Sequence, residues 1–265
     1  MSTTFHKMHG YGNDFVILDA REGAIAVDEA LATKLCDRHR GIGCDQLIRL
    51  SKGSEAPVRM DIWNPDGSAA EACGNATRCV VALTGAGRIE TDGGVLDGVV
   101  NDLSVTVTLP EPKFQWDEIP TADPMDTAPL PLAWDALENP DAVNVGNPHI
   151  VFFVDDVDAV PLDELGPRIE NDPAFPERIN VNIAQSTEKG LLIRTWERGA
   201  GLTQACGTGA CASAVAAIRR KKAVSPVIVM MPGGTVHIDW SLGGKIGMTG
   251  AATHVFTGRI DLEAL

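Results

Sequence analysis

The sequence predicts an α/β protein of the α+β type, built as two pseudo-symmetric halves. Three observations carry that reading. Residues 61–79 (DIWNPDGSAAEACGNATRC) and 194–212 (RTWERGAGLTQACGTGACA) are versions of one another at an offset of 133, which sets Trp63 on Trp196, Ala72 on Ala205, Cys73 on Cys206 and Gly74 on Gly207 without a gap. Short runs of alternating apolar and polar residues, rich in β-branched side chains, recur through both copies. A stretch of small residues at helical spacing follows each matched cysteine. The 265 residues suit two units of about 130, each long enough to bury its own core.

In chain order, alternation predicts strands near 14–19, 46–50, 58–63, 103–109, 150–154, 191–196, 227–231 and 235–240. A first helix is expected from Asp28 as N-cap through ALATKLCDRHR to Gly41, where glycine supplies a left-handed exit. After Cys73, the run GNATRCVVALTGAG sets Ala76, Cys79 or Val80, and Leu83 at helical spacing and stops at Gly85. After Cys206, GTGACASAVAAIRRKK is rich in alanine and ends in four cations, which suit the negative end of a helix dipole. Small residues on most sides imply helices closely enclosed by sheet. The duplication extends outwards: Gly12-Asn13 before FVILD recurs as Gly146-Asn147 before HIVFFV, an offset of 134 that Gln46 and Asn180 share. LSVTVTL (103–109) has its expected counterpart in TVHIDWS (235–241). Between the copies, residues 110–141 hold Pro110, Pro112, Pro120, Pro124, Pro129, Pro131 and Pro140 and read as the crossing between halves.

Composition narrows the function. With 44% hydrophobic and 22% charged residues and no apolar run of the roughly 18–20 residues a membrane span needs, a soluble chain with no membrane association is expected. The opening MSTTFHKMHGYGNDF has no apolar stretch of signal-peptide length, which points to the cytoplasm. There the six cysteines are expected to remain thiols. A net charge of −14 argues against a nucleic-acid partner, because phosphate binding wants a basic face. An anionic substrate needs local cations or aimed backbone N–H groups inside this acidic field.

The matched thiols point to the chemistry. If the halves fold alike and face each other, Cys73 and Cys206 approach one cleft from opposite sides. Taking a proton from one face of a carbon and returning one to the other face requires that arrangement, and it is racemase or epimerase chemistry. A thiol titrates near about 8.5, and the unpaired N–H groups of a helix N-terminus lower that value, so both cysteines are expected to be acidified. The same N–H groups, reached past the small residues Gly74-Asn75 and Gly207-Thr208, suit a substrate carboxylate. No signature of pyridoxal phosphate, metal or nucleotide binding stands in the chain, so no cofactor is expected.

Plainer roles fit other residues. Cys36, Cys44, Cys79 and Cys211 read as small buried hydrophobes. The spacing of Cys73 from Cys79 and of Cys206 from Cys211 is poor for zinc. Asn64 in WNPDG suits a turn, although its repeat partner Glu197 favours a functional role. Arg198 is a cation able to pair bidentately with a second carboxylate. His149 suits either a satisfied core histidine or a group that tunes a thiol.

The segments KMHGYGNDFVILD, GIGCDQ, NPDGSAAEACGNATRC, GNPHIVFFVDD, FPERINV, WERGAGLTQACGTGACA and MTGAATHVFTG, in order from Lys7 to Gly258, closely resemble the diaminopimelate epimerase family. The resemblance implies a cofactor-independent isomerase that interconverts LL- and meso-2,6-diaminopimelate in lysine and peptidoglycan precursor biosynthesis. Cys73 and Cys206 are then the acid/base pair, and Gly74, Asn75, Gly207 and Thr208 cradle the carboxylate at the reacting centre. Asn13, Gln46, Asn64, Asn147, Asn180, Glu197 and Arg198 fall on positions that bind the rest of the substrate, and His149 and Glu197 on positions that tune the thiols. The implied fold gives each half a mainly antiparallel barrel-like sheet around a central helix, with the active site in the cleft between them. The expected halves are residues 1–115 with a returning strand at 252–265, and residues 116–251. A homodimer acting on a small-molecule amino acid is implied. Ala76 departs from the glycine common there in the family. Rival readings are a proline or hydroxyproline racemase on the same fold, a redox protein that closes a Cys73–Cys206 disulfide, and a non-catalytic binding module.

Overall fold

The computed structural model, which describes residues 2–71, 73–102 and 104–265, forms two units, Met1–Thr108 with Gly250–Leu265, and Leu109–Thr249. Ala72 of the repeat and Leu103 of the predicted strand lie outside the described residues. The first unit runs β1 (Ser2–Gly10), β2 (Asn13–Asp19), α1 (Glu29–Cys36), β3 (Gln46–Ser51), β4 (Val58–Trp63), β5 (Ala69–Ala70), α2 (Gly74–Thr84), β6 (Arg88–Thr91), β7 (Gly94–Val100) and β8 (Val105–Leu109). The second runs β9 (Ala133–Trp134), β10 (Leu137–Glu138), β11 (Asp141–Asn144), β12 (Pro148–Phe153), α3 (Leu162–Glu170), β13 (Asn180–Thr187), β14 (Gly190–Glu197), β15 (Gly201–Thr203), α4 (Gly207–Arg219), β16 (Val227–Met231), β17 (Gly234–Asp239) and β18 (Ile246–Gly250). The chain then returns to the first unit, where β19 (Thr253–Asp261) pairs antiparallel with β1.

The two units repeat one pairing scheme. In the first, β1–β2 is antiparallel, β2–β3 parallel, β3–β4 and β4–β5 antiparallel, β4–β6 parallel, and β6–β7 and β7–β8 antiparallel. Starting from β11, the second gives the same series of parallel and antiparallel pairs through β12, β13, β14, β15, β16, β17 and β18. Register matches as well, since Phe15 pairs with Gln46 as His149 pairs with Asn180, and Leu47 with Trp63 as Val181 with Trp196.

Each sheet is wrapped on its own helix. Helix α2 touches β1, β6, β7 and β19, and α4 touches β11, β12, β13, β14, β16 and β17. Residues Gly74–Val81 are buried all round, as are most of those in α4, which explains why small side chains dominate both helices: only they let strands approach from every side. The proline-rich stretch before β11 packs into the second unit, with Ile119, Leu130, Trp134 and Leu137 in the core that also holds Phe152, Leu165, Phe175 and Ile183. Among the described residues no helix is long and apolar enough to cross a membrane.

Three details differ from the sequence reading. Helix α1 starts at its Asp28 cap, whose Oδ1 accepts from Leu31 N at 2.8 Å, but it ends at Cys36 instead of reaching Gly41. Asp37 Oδ1 accepts from His39 N (2.7 Å) and Arg40 N (2.9 Å), a local alternative to helix bonding that turns the chain out early. The left-handed residue there is Gly43 (φ 80°); Gly41 is required by close approach, because a Cβ on it would lie 2.0 Å from the Lys34 carbonyl. Second, α4 closes at Arg219 with Arg220 as its cap, so Lys221 and Lys222 lie beyond it. Third, the counterpart of β8 is β18, while TVHIDWS falls on β17, whose counterpart is β7: Asp97 pairs with Thr108 as His237 pairs with Thr249.

Candidate active site

Within the first unit, Cys73 is the N-cap of α2, extended at φ −146° and ψ 113°, and its Sγ accepts from Ala76 N at 3.5 Å. Its carbonyl accepts from Thr77 Oγ1 at 2.8 Å, which pins the cap against the first turn. Gly74 and Asn75 open that turn and are buried. Asn75 Nδ2 donates to Asn13 Oδ1 at 3.0 Å, and Asn13 Nδ2 donates to Asp45 Oδ2 at 3.0 Å. Gln46 Nε2 donates to Asn64 Oδ1 at 3.0 Å, while the Asn64 amide is held in its turn by Ser68 Oγ at 3.1 Å. Gln46 Oε1 is buried with no hydrogen-bond partner among the described residues, an acceptor whose desolvation costs about 1–3 kcal/mol until a donor meets it. The parallel pairing of β2 with β3 brings Asn13 and Gln46 to the same end of the sheet as the helix cap.

Within the second unit, Cys206 is the N-cap of α4 (φ −113°, ψ 109°), and its Sγ accepts from Gly209 N at 3.3 Å. Thr208 Oγ1 lies 3.5 Å from that sulfur and accepts from Asn147 Nδ2 at 3.4 Å. Asn147 Oδ1 is 2.9 Å from His149 Nε2, and the far nitrogen of that ring, Nδ1, is 3.1 Å from Asn182 Nδ2. Asn180 Oδ1 accepts from the Arg198 backbone N–H at 2.9 Å, and Asn180 Nδ2 donates to the Pro148 carbonyl at 2.8 Å. The Arg198 guanidinium donates to the Glu177 carbonyl at 3.0 Å. The Glu197 carboxylate acts on the Cys206 thiol by charge and by hydrogen bond. So the structure gathers Asn13, Asn75 and Cys73, and Gln46 with Asn64, in one unit; it gathers Cys206, Gly207, Thr208, Asn147, His149 and Glu197, and Asn180 with Arg198, in the other.

The electrostatics correct one expectation. Burial pushes the Cys206 thiol well above the ordinary range, and Glu197 adds to this; the Thr208 hydroxyl and the Gly209 N–H pull the other way and lose. At 4% exposure the cost of desolvating a thiolate outweighs the helix end. Cys206 is therefore held as the protonated thiol. His149 is fully buried, and burial, with Arg198 second, pushes its ring down to about 3, so the imidazole is neutral. Cys36, Cys44, Cys79 and Cys211 are buried, and burial raises Cys79 to about 12.

Several supporting residues escaped the sequence reading. Asp45 lies inside the GIGCDQ motif and receives the amide of Asn13, the N–H of Asp14 at 3.0 Å and Arg38 at 2.7 Å. Arg78 is fully buried, donates to Asn75 Oδ1 at 2.8 Å and lies over the Tyr11 ring. Glu170 of α3 accepts from Trp196 Nε1 (2.7 Å) and Gly199 N (2.9 Å) and so anchors the turn that carries Glu197 and Arg198. Asn182 follows Asn180 at the strand period of two, a signal that was available in the sequence. Among the described residues no group of three His, Cys, Asp or Glu side chains is arranged to hold a metal. Cavities of about 350 Å³ beside Asp28 and Leu265 and about 250 Å³ beside Lys189 and Val224 are lined by none of the expected site residues.

Known proteins resemble this chain in sequence and in fold. A family-wide sequence profile described as diaminopimelate epimerase matches residues 5–108 and 141–255. The chain is 58% identical to the diaminopimelate epimerase of Rhizorhabdus wittichii over 100% of its own length and 97% of that protein's, and 58% identical to that of Sphingopyxis alaskensis over 98% of each. Among solved structures it resembles a phenazine biosynthesis protein of the PhzF family from Enterococcus faecalis (TM-score 0.75, 11% identity, 98% of this chain and 100% of that one). It also resembles a hydroxyproline epimerase from Agrobacterium vitis (TM-score 0.66, 17% identity, 98% and 91%). At those identities the likeness is one of fold, a two-half architecture dominated by sheet.

Proposed function

The chain belongs to the diaminopimelate epimerase family, and from that premise we propose that it interconverts LL- and meso-2,6-diaminopimelate by passing the α-proton between two thiols. The observation that carries the mechanism is that each matched cysteine caps its unit's enclosed helix and accepts a backbone N–H from the first turn. The reading requires both thiols to reach one α-carbon from opposite faces.

In a turnover, the Cys73 thiolate takes the α-proton as the C–H bond breaks and becomes a thiol. The electron pair left on carbon is relieved as the α-carboxylate accepts from the N–H groups at Gly74, Asn75, Gly207 and Thr208. Cys206, held protonated by burial and Glu197, delivers its proton to the opposite face and becomes the thiolate. The configuration at carbon is inverted, and the two sulfurs exchange protonation states with no net proton lost. The reverse direction uses the same groups in exchanged roles.

The distal amino-acid end falls to Asn13, Gln46, Asn64, Asn147, Asn180, Glu197 and Arg198. Support comes from the buried Gln46 Oε1, an acceptor suited to an ammonium group, and from Arg198, which follows Glu197 in the chain, is half-buried and has its backbone fixed by Asn180. We further propose a cytoplasmic homodimer, in keeping with the family resemblance and with the exposed Val255 and Phe256 on β19.

Purified, reduced protein incubated with LL-diaminopimelate and no added cofactor, followed by chiral chromatography, should form the meso isomer and leave L-proline and trans-4-hydroxy-L-proline unchanged. Unchanged diaminopimelate beside epimerised proline would reject the substrate assignment.

A further inference from the structure

Asn182 lies beneath Cys206, fully buried, with every polar atom engaged. Its Nδ2 donates to the Ile150 carbonyl at 3.0 Å and to His149 Nδ1 at 3.1 Å, and its Oδ1 accepts from Thr195 Oγ1 at 3.0 Å. A carbonyl can only accept, so the Ile150 contact fixes which end of the amide carries the hydrogens. The ring nitrogen facing those hydrogens must be unprotonated, which places the single proton of the neutral imidazole on Nε2. Nε2–H then donates to Asn147 Oδ1 at 2.9 Å, Asn147 Nδ2 to Thr208 Oγ1 at 3.4 Å, and the threonine hydroxyl keeps its own proton for Cys206 Sγ at 3.5 Å. With Gly209 N also donating at 3.3 Å, the sulfur receives two hydrogen bonds from the protein, which leaves its own proton for the Glu197 carboxylate that acts on this thiol. The donations run in one direction, from the Thr195 hydroxyl through Asn182, His149, Asn147 and Thr208 to the Cys206 sulfur, with the Ile150 carbonyl fixing the orientation of the Asn182 amide.

The duplicated scaffold provides an internal comparison. By strand register, the positions matching His149, Asn182 and Thr195 are Phe15, Ile48 and Ile62 in the first unit, all buried and all apolar. The first turn of α4 has also adapted to the polar chain. A Cβ on Gly209 would lie 2.5 Å from Asn182 Oδ1 and 2.9 Å from Thr195 Oγ1, while its counterpart in α2 is Ala76. Three positions that are apolar in one half are thus polar together in the other, and with Asn147 and Thr208 they form a continuous path that ends at one thiol.

We propose that Asn182, held by Thr195 and the Ile150 carbonyl, is a positioning residue that sets the direction of hydrogen bonding through His149, Asn147 and Thr208 and so fixes where the Cys206 proton points. This rests on the reading of Cys206 as one of the two proton-transfer groups. The polar path that orders the donors to Cys206 runs through positions whose register matches in the first unit, Phe15, Ile48 and Ile62, are apolar.

The test joins ¹⁵N NMR of the histidine ring to steady-state kinetics. Wild-type protein should show His149 neutral and protonated at Nε2. In Asn182→Asp an acceptor replaces the donor at Nδ1, so the proton should appear on Nδ1, with kcat down about tenfold and KM within about threefold of wild type. Thr195→Val, which removes the hydroxyl at constant shape, should lower kcat in the same sense, and Thr195→Ser should restore it. A ring signature unchanged in Asn182→Asp, or kcat losses that only track loss of thermal stability in both the Asp and Val variants, would overturn the relay. Should Asn182→Asp not fold, the Thr195 pair decides alone: equal kcat in the Val and Ser variants overturns the proposal. Inversion of substrate by Cys206→Ala would instead overturn the reading of Cys206 itself, whatever the ring signature shows.

Discussion

At the scale of the residue, burial decides protonation. His149 folds as a neutral ring with its value pushed down to about 3 from 6.5, so between those values the unfolded chain binds more protons than the native one. Stability therefore rises with pH through that window and is lost as pH falls. Between pH 7 and 4.5 this one ring should remove on the order of 2–3 kcal/mol. Replacing it by its first-unit counterpart, His149→Phe, should reduce the acid sensitivity of the urea midpoint by that order; equal losses in the two proteins would show that the ring is not the titrating group. For Arg198, whose backbone and guanidinium both serve fixed partners, Arg198→Ala should raise KM for diaminopimelate by about 10- to 100-fold, with Tm within a few degrees of wild type. Matching losses in Tm and activity would make it a structural arginine.

At the scale of the element, a helix cap and its enclosing sheet act together. The first turns of α2 and α4 begin alike at Cys73 and Cys206, but the third residue beyond the cap is Ala76 in one and Gly209 in the other. Gly209→Ala should destabilise the fold by about 1–3 kcal/mol, because the added methyl meets Asn182 and Thr195 in a filled core. Ala76→Gly should cost no more than about 1 kcal/mol, the usual helix penalty of glycine. Denaturant midpoints of the two variants compare these directly, and a smaller loss at Gly209 than at Ala76 would contradict the close packing described for α4. Elements also show where sequence reading stopped. The offset that placed Trp63 on Trp196 held because turn and cap are short and identical in length. Beyond the helices, Val58 pairs with Ile89 but Leu191 with Val229, so the loop after α4 is longer. Alternation alone then matched LSVTVTL to the wrong strand, since any half-buried strand alternates.

At the scale of the whole molecule, duplication made the fold class and the matched thiols legible, because both leave marks in the sequence: period-two strands, small helices and a cysteine at each cap. The acidity of the thiols was not legible in the same way. A helix N-terminus can be read from residue order, but the opposing burial of Cys206 and the nearness of Glu197 come from tertiary packing. The polar path through Asn182 and Thr195 leaves only a partial mark: the strand period of two sets Asn182 on the face of Asn180, but the burial that joins it to Thr195 and His149 comes from tertiary packing. The early end of α1 turned on a side-chain bond of Asp37 that competes with the helix. The two units thus share one pairing scheme and differ in the residues packed beneath their helix caps.

Two thiols serving opposite faces of one carbon leave a signature in the exchange of the α-proton with deuterated water. Wild-type protein with LL-diaminopimelate should place solvent deuterium in the meso product while the substrate recovered early stays protiated, and Cys73→Ala and Cys206→Ala should each slow inversion by about 10²-fold or more. Retention of the original proton in the product, or inversion at near wild-type rate by either variant, would contradict the two-thiol account.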